Sequence, residues 1–406
     1  MRILLLGSGA VGTGMAVAAA GRDFFDKLVV ADLDRGRAEG VVDRLGGDPR
    51  FVGVGLDASD RAEVAAFAKV EGADVIVNAC DPRLDPPIFG AAFDAGCHYL
   101  DMAATLSEPH PERPYEEVGR LLGEDQFAVA GDWEARGQLA LVGMGIEPGL
   151  ADVFARYAAD HLFSSVDEVG VRDGNNLVID GYRFAPTFSI WTTIEECLNP
   201  PLIWERDRGW FTTEPFSEPE TFVFPEGIGP VECVNVEHEE VVLVPRWVDC
   251  NRVTFKYGLG DEFIEVLRVL DKTGLASRDP VRVRGVEVAP RDVVAATLPD
   301  PAGLGDRMHG RTCAGTWVSG TGLDGSPREV YLYHVSYNAD TMGRHGIQAV
   351  AWQTAMCPVV ALELLAGGVW SGSGVLGPEA FDAVPYLDLL RDYGEEWAME
   401  ERRAPA

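Results

Sequence analysis

The chain has 406 residues, of which 47% are hydrophobic and 24% are charged, proportions typical of a globular protein with enough length for two cores. Its formal net charge of -31 argues against nucleic acid and anionic membrane surfaces as partners, because a negative surface repels phosphate. The seven cysteines form no CxxC pair and the histidines no HExxH motif. We therefore expect reduced thiols, a cytoplasmic location and no metal site, and the absence of a long apolar run predicts no membrane span.

The first 34 residues contain a glycine-rich turn between an apolar strand and a helix. The turn reads Gly7-Ser8-Gly9-Ala10-Val11-Gly12, and a second apolar strand ends at Asp32. In such turns the first glycine permits a tight bend, the second lets backbone N–H groups approach a pyrophosphate, and the third lets the helix lie close to the strand. An acidic residue about twenty positions further on accepts hydrogen bonds from the adenosine ribose. These residues predict a dinucleotide site that favours NAD, with NADP possible because Arg35 and Arg37 are nearby.

Strands and helices alternate through residue 101, which indicates a parallel sheet covered on both faces. The apolar strands are predicted at 51–56, 73–78 and 98–101. Ligands of such sheets bind beyond the carboxyl ends of the strands. The residues at those ends, which we expect near the cofactor, are Asp57, Asn78, Ala79 and Asp101.

The pattern changes near residue 150. A strand at 139–145 leads into the turn Glu147-Pro148-Gly149, and an amphipathic helix follows over 150–161. From about residue 166 apolar and polar residues alternate, which predicts a mixed or antiparallel sheet. The other predicted elements are a strand at 240–244 and helices near 115–122, 189–198, 261–271 and 346–365.

Several motifs carry a resemblance that runs nearly from end to end: Gly7 to Gly12, Asp74 to Ala79, Cys97 to Asp101, Gly145 to Gly149 and Gly346 to Pro358. With these motifs the chain resembles the saccharopine dehydrogenase family. Segments 298–304 and 312–318 are most similar to its carboxynorspermidine branch, whereas segment 188–200 is similar to its saccharopine and lysine enzymes.

The resemblance implies an α/β fold with a split Rossmann domain. We expect the NAD(P)-binding Rossmann domain at 1–150, an α+β substrate and dimerisation domain at 151–340, and C-terminal helices at 341–406 that return to the first domain. It also implies a homodimer.

The resemblance further implies that the chain transfers a hydride between a nicotinamide ring and the carbon of a C–N bond in an amino acid or a polyamine. Saccharopine is the first candidate substrate, and carboxynorspermidine, carboxyspermidine and lysine, the last as the substrate of a lysine 6-dehydrogenase, are alternatives. Saccharopine would need several arginines in the cleft, and a carboxylated polyamine would need several acids. A hypothesis of another class is a non-catalytic protein that senses NAD.

The resemblance implies that Glu147 is the first candidate catalytic residue, because saccharopine reductases have an acidic residue, an aspartate, at the matching position near the substrate amine, whereas lysine 6-dehydrogenases have an apolar one. A carboxylate there can relay the amine proton or stabilise an iminium cation. The alternative is a loop glutamate that precedes a proline. Asp101 is the second candidate, for the substrate ammonium or the nicotinamide, and its alternative is a local cap.

The predicted substrate-binding residues lie in the middle domain and are Arg183, Ser189, Trp191, Thr192 and Thr193. Arg183 is suited to a bidentate pair with a substrate carboxylate, which the hydroxyl groups would complete. The alternative is a purely structural role, since Thr192 and Glu195 have the spacing of a capping box at a helix start.

Overall fold

The computed structural model describes residues 1–402, and its first part is a parallel sheet with helices on both faces. The elements of this part are β1 (Arg2–Leu6), α1 (Ala10–Ala20), β2 (Lys27–Asp32), α2 (Arg35–Arg44), β3 (Phe51–Gly55), α3 (Arg61–Glu71), β4 (Val75–Asn78), α4 (Asp85–Ala95), β5 (His98–Asp101), α5 (Glu124–Ala128), α6 (Ala130–Ala135), β6 (Leu139–Leu141) and α7 (Leu150–His161).

The second part is a mixed sheet with helices at its edges, and the chain then returns to the first part. Its elements are β7 (Phe163–Asn175), β8 (Val178–Ile179), α8 (Ile190–Leu198), β9 (Leu202–Glu205), β10 (Gly209–Thr212), β11 (Glu220–Phe224), β12 (Gly229–Asn235), α9 (Glu240–Trp247), β13 (Cys250–Gly258), α10 (Asp261–Lys272), β14 (Val281–Val283), β15 (Val286–Val288), α11 (Pro290–Thr297), β16 (Met308–His309), β17 (Arg311–Gly322) and β18 (Pro327–Tyr337). The last elements are α12 (Asn338–His345), α13 (Ala349–Ala366), β19 (Gly374–Leu376), α14 (Ala383–Asp392) and β20 (Trp397–Arg402).

The first sheet has the strand order β19-β6-β5-β4-β1-β2-β3, and its neighbouring strands are parallel. Its central strands β1 and β4 are largely apolar, with Leu4 and Leu5 fully buried, because helices cover both faces. The order reverses between β1 and β4, and the loops that follow these two strands therefore diverge. That divergence opens a crevice at the carboxyl edge, where ligands of such sheets bind.

Two late elements complete the first part. Helix α13 packs on α1 so closely that a Cβ on Gly14 would lie 2.6 Å from the Cβ of Ala355. Strand β19 pairs with β6 at the edge of the sheet. By length and composition α13 is apolar enough to cross a membrane, but 72% of it is buried inside the fold, as expected of a core helix.

The second sheet contains nine strands within the described residues, and β10-β9-β13-β7-β17-β18-β20 is its main path. The pair β7 and β13 is parallel, and the other pairs of this sheet are antiparallel, so the sheet is mixed as predicted. The final strand β20 joins this sheet beside β18, although β19 belongs to the first one. The division at residues 150 and 340 stays a prediction.

Two of the predicted elements are wrong. Residues 240–244, predicted as a strand, form the start of helix α9, because their short apolar run is buried on every side and has no diagnostic period. Residues 115–122, predicted as a helix, form turns in which Arg120 bridges Glu108. Gly119 lies so close to the Glu108 carbonyl that a Cβ would be 1.9 Å away, and this contact replaces helical packing.

Candidate active site

The glycine turn has the geometry that a dinucleotide needs. A Cβ on Gly12 would lie 1.9 Å from the carbonyl oxygen of Gly7, so α1 approaches the turn as closely as only glycine allows. Gly9 differs, because no protein atom lies within 4 Å of the position a Cβ would take. Gly9 is also the N-cap of α1 and supplies no capping side chain. The open space and the uncapped N–H groups fit a pyrophosphate at the N-terminus of α1.

Asp32 closes the other side of this turn. Its Oδ2 accepts hydrogen bonds from the Ser8 N–H at 2.9 Å and the Ser8 hydroxyl at 2.6 Å, and its Oδ1 accepts one from the Asp34 N–H at 3.0 Å. Partial burial opposes its ionisation, but these bonds outweigh burial and lower the pKa of Asp32. The anionic carboxylate retains lone pairs for ribose hydroxyls and would repel a 2′-phosphate.

We expect the substitution Asp32→Asn to raise the Kd for NAD about tenfold and to leave the Kd for NADP unchanged or lower, since the charge that opposes the 2′-phosphate is lost. Isothermal titration with each dinucleotide measures both constants. Ser8→Ala is the matched control, because it removes one hydrogen bond to Asp32 but keeps the charge. Equal losses of affinity for NAD and NADP in Asp32→Asn would contradict a selective role.

A cleft lies between the carboxyl edge of the first sheet and the second sheet, and it encloses about 310 Å³. Gly9, Ala10 and Val11 form its floor with Asn78 and Ala79. The other walls come from the loops after β5 and β6, from α8, and from the segments before α9 and α13. The side chains that face it include Asp81, Asp85, Asp101, Glu147, Ser189, Thr192, Glu196, His238, Glu239, Tyr257 and Asp300.

Asp101 lies on the cleft wall and also holds the loop after β6. Its Oδ1 accepts a hydrogen bond from the Gly143 N–H at 2.7 Å, and its Oδ2 accepts one from Gln126 at 2.8 Å. Burial raises the pKa of Asp101 to about 7 despite these bonds. Both donors lie far from Asp101 along the chain, so this carboxyl group holds two distant loops and does not cap the segment that follows it.

Asn78 fixes the neighbouring turn after β4. Its amide donates to Asp85 Oδ1 at 2.5 Å, and its side-chain oxygen accepts from the Cys80 N–H at 3.0 Å. The other carboxylate oxygen of Asp85 is buried without a hydrogen-bond partner in the described residues. Burial and the charges of nearby acids raise the pKa of Asp85 well above its ordinary value. Asp85 is therefore a buried carboxyl group in the cleft wall whose ionisation is disfavoured.

Glu147 forms a carboxyl pair with Asp173 of β7. Gly149 makes the tight turn beneath it, since its φ is 133° and a Cβ would lie 2.1 Å from the Gly145 carbonyl. Within residues 1–402, Glu147 Oε2 and Asp173 Oδ1 are buried and accept no N–H or O–H of the protein, but the two carboxyl groups are in hydrogen-bonding contact with each other. Two adjacent buried carboxyl groups share one proton.

The pKa values of Glu147 and Asp173 are shifted to different extents. Burial, reinforced by the charge of Asp173, raises the pKa of Glu147 well above its ordinary value. Burial also raises the pKa of Asp173, but the hydrogen bond from Glu147 limits the rise to about 6. Of the two carboxyl groups, Glu147 is therefore the one whose protonated form is more favoured, and it faces the cleft, where a general acid would be needed.

His238 is the one basic side chain among the described residues of the cleft wall. Its ring stacks on Phe255 at 3.8 Å, and its Nδ1 lies 2.5 Å from Glu240 Oε2 and 3.5 Å from Glu239. Burial disfavours the charged ring, yet Glu240, Glu239 and Glu196 raise the pKa of His238 to about 10. The distances among His238, Glu239 and Glu240 would also suit a metal ion. We assign these residues to an ion pair instead, because both nitrogens of a protonated imidazole carry hydrogens and neither has a lone pair for a metal.

The predicted substrate-binding residues separate into three places. Ser189 and Thr192 face the cleft, and Ser189, not Thr192, caps α8 by accepting from the Thr192 N–H at 3.4 Å. Arg183 and Thr193 face a second cavity behind the cleft. Trp191 faces neither cavity, since it lies between the guanidinium groups of Arg83 and Arg291 at 4.2 and 4.9 Å.

Asp57 also lies outside the cleft. Its Oδ1 accepts hydrogen bonds from the Ser59 N–H at 2.9 Å and the Ser59 hydroxyl at 2.7 Å, an exposed turn at the carboxyl end of β3. It shares the sheet edge with Asn78 and Asp101, as predicted, but is not among the residues that surround the enclosed volume.

Sequence reasoning missed several acids of the cleft, notably Glu196, Glu239 and Asp300. One signal was available, because Glu237-His238-Glu239-Glu240 places four ionisable residues directly before an apolar run. Charged residues are rarely buried unless they are paired or functional. Burial raises the pKa of Glu196 to about 8 and that of Glu237 to about 7, and both values reflect this enclosure.

The chain is similar to characterised proteins over nearly its full length. It is 28% identical over 412 residues to a carboxynorspermidine synthase of Vibrio alginolyticus, which covers 99% of this chain and 97% of that protein. It is 27% identical over 400 residues to a carboxyaminopropylagmatine dehydrogenase of Synechocystis sp., with 98% and 96% covered. The apo saccharopine dehydrogenase (L-Glu forming) of Saccharomyces cerevisiae has the same fold, with a TM-score of 0.70, 14% identity, and 99% and 100% covered.

Two domain families account for most of the chain. Residues 3–141 match the saccharopine dehydrogenase NADP binding domain, and residues 145–395 match the saccharopine dehydrogenase C-terminal domain. These matches confirm the predicted family, and the parallel sheet with a second mixed sheet confirms the fold class. The chain therefore belongs to the saccharopine dehydrogenase family and is an NAD(P)-dependent oxidoreductase that acts on C–N groups.

Proposed function

We propose that the substrate is a carboxylated polyamine, in which a secondary amine joins an amino-acid-derived carbon to a di- or polyamine. The observation that carries this proposal is the charge of the cleft. Seven carboxyl groups face it, and in residues 1–402 no arginine or lysine does so. A cleft of this composition attracts ammonium groups and repels carboxylates.

This composition favours the polyamine alternative over saccharopine. Saccharopine carries three carboxylates, and each would need a cationic or N–H-rich partner to offset its desolvation. The single guanidinium on the walls of the two described cavities is Arg183. The two similar proteins, carboxynorspermidine synthase and carboxyaminopropylagmatine dehydrogenase, are also named after carboxylated polyamines.

In this proposal the chain's own residues orient a cationic substrate and supply one proton. A bound nicotinamide would donate the hydride to the imine carbon in synthesis, or accept it in the reverse reaction. Glu147 donates its proton to the imine nitrogen, and Asp173 stabilises the protonated form of Glu147 beforehand. The nitrogen becomes a secondary amine, and Glu147 is left as a carboxylate that a second proton restores.

The remaining acids hold the polyamine arm. Glu196 and Glu239 lie on the wall opposite the glycine turn, and Asp300 lies on the loop before β16. Burial raises the pKa values of Glu196 and Glu239, and an ammonium group bound beside them would lower these pKa values and form ion pairs with the two carboxylates.

The proposal is tested by following NAD(P)H absorbance at 340 nm. We expect the protein to oxidise NAD(P)H when it is mixed with aspartate semialdehyde and an amine such as 1,3-diaminopropane, putrescine or agmatine. The comparison reactions are lysine with 2-oxoglutarate, which would form saccharopine, and lysine alone with NAD(P)+. Turnover with lysine and 2-oxoglutarate but not with the semialdehyde pair would contradict the polyamine assignment.

The same assay separates the oxidoreductase from a protein that only senses NAD. A sensor would bind the dinucleotide saturably and oxidise none with any of the amine pairs. The buried acid pair Glu147 and Asp173 favours the enzyme, because a proton-sharing pair in the cleft serves chemistry and is not needed for nucleotide binding.

The proposal includes a cytoplasmic homodimer, as the family resemblance implies. Light scattering coupled to size-exclusion chromatography measures the mass directly, and the monomer mass is 43.9 kDa. A particle of twice that mass would support the homodimer, and a monomer at assay concentration would contradict it.

A further inference from the structure

A second cavity of about 450 Å³ lies directly behind the cleft. Phe188, Tyr257 and Val350 line both cavities, so the two volumes are adjacent. Asp173 faces the second cavity, while its pair partner Glu147 faces the cleft. The acid pair therefore lies at the boundary between the two volumes.

The charges of the second cavity differ from those of the cleft. Arg183 is its one basic residue in the described chain, and Asp261 and Glu262 join Asp173 as its acids. Within residues 1–402 the guanidinium of Arg183 forms no salt bridge with any carboxylate. Unlike most arginines in the described part of this chain, Arg183 therefore has no carboxylate partner and is available to a ligand.

The N-terminus of α10 opens into the same cavity. Its N-cap is Gly260, which has no side chain to cap the first N–H groups, and Asp261 and Glu262 begin the helix. Uncapped N–H groups at a helix start attract a carboxylate. The independent observation beside it is Arg183, which lines the same cavity and forms no salt bridge in the described residues.

We propose that the second cavity binds the α-amino-acid head group of the substrate, an inference that rests on the proposed function. Arg183 and the N-terminus of α10 receive the α-carboxylate. The acids Asp261 and Glu262 receive the α-ammonium group. A zwitterion needs one cationic and one anionic partner side by side, and this is the composition that distinguishes the second cavity from the cleft.

This placement orients the whole substrate. With the head group behind Tyr257, the reacting C–N bond lies at the boundary beside Glu147 and Asp173, and the polyamine arm extends into the acidic cleft. The opposite orientation would place the carboxylate among seven carboxyl groups. Charge alone therefore selects the direction in which the substrate enters.

Three aldehydes test the two halves of the head-group site. Aspartate semialdehyde carries both charged groups, 3-aminopropanal lacks the carboxylate, and succinate semialdehyde lacks the amine. With a fixed diamine, we expect Arg183→Met to raise the KM for aspartate semialdehyde at least tenfold and to leave the KM for 3-aminopropanal unchanged. We expect the double variant D261N/E262Q to reduce the preference for aspartate semialdehyde over succinate semialdehyde severalfold.

Arg284→Met is the matched control, since Arg284 is exposed in the β14–β15 turn and faces neither cavity. If the wild type is active with aspartate semialdehyde and Arg183→Met keeps its KM, the head-group site is wrong and the proposed function stands. If the wild type reduces only lysine with 2-oxoglutarate, the proposed function is wrong. In that case the KM values of Arg183→Met for 2-oxoglutarate and for lysine test the second cavity separately. If both KM values equal those of the wild type, the second cavity binds no carboxylate and the head-group site is wrong as well.

Discussion

We expect the substitution Glu147→Gln to lower kcat by about 10²- to 10⁴-fold, the range that general acid catalysis typically contributes. Glutamine keeps the size of the side chain but carries no transferable proton. In the direction of synthesis the wild-type rate should fall as pH rises through the pKa of Glu147, which burial and Asp173 raise well above its ordinary value. That limb of the pH profile should be absent in the variant, and steady-state rates across pH measure both effects.

The control for this prediction is Glu265→Gln, an exposed residue of α10 outside both cavities, which should leave kcat and the pH profile unchanged. Glu147→Asp should retain part of the activity, because the shorter side chain still carries a proton. A Glu147→Gln variant with wild-type kcat and an unaltered pH profile would assign Glu147 to the structure of the loop alone.

The second large effect is expected at Gly9. The substitution Gly9→Ala should raise the Kd for the dinucleotide by roughly 100-fold, which is about 2.7 kcal/mol, because the new methyl group occupies the space of the pyrophosphate. The fold should tolerate it, since φ is -68° and no protein atom lies within 4 Å of the added Cβ. Fluorescence titration with NADH or NADPH gives the Kd, and thermal unfolding gives the stability.

Two neighbouring glycines serve as comparisons. Gly21→Ala, at the far end of α1, also meets no atom within 4 Å and should change neither affinity nor stability. Gly12→Ala should lower stability by roughly 1–3 kcal/mol, because its Cβ would overlap the Gly7 carbonyl at 1.9 Å. If Gly9→Ala binds the dinucleotide as the wild type does, the pyrophosphate lies elsewhere.

The parallel sheet was predictable because its signals are local. Continuous apolar strands, the spacing from Gly12 to Asp32, and the alternation of strands with helices all depend on neighbours in the sequence. The middle domain was less predictable. Segment 240–244 has a short apolar run that suits a strand or a buried helix equally, and only its packing between α7 and β13 makes it a helix.

The sequence by itself determined the family, the dinucleotide turn and the candidates Glu147 and Arg183, because each depends on a short motif or a single residue type. The tertiary structure decided which charges meet. It joins Glu147 to Asp173, encloses His238 among glutamates, and separates an acidic cleft from a cavity that contains Arg183. Electrostatic interactions depend on distance through space and on burial, and neither is encoded by separation along the chain.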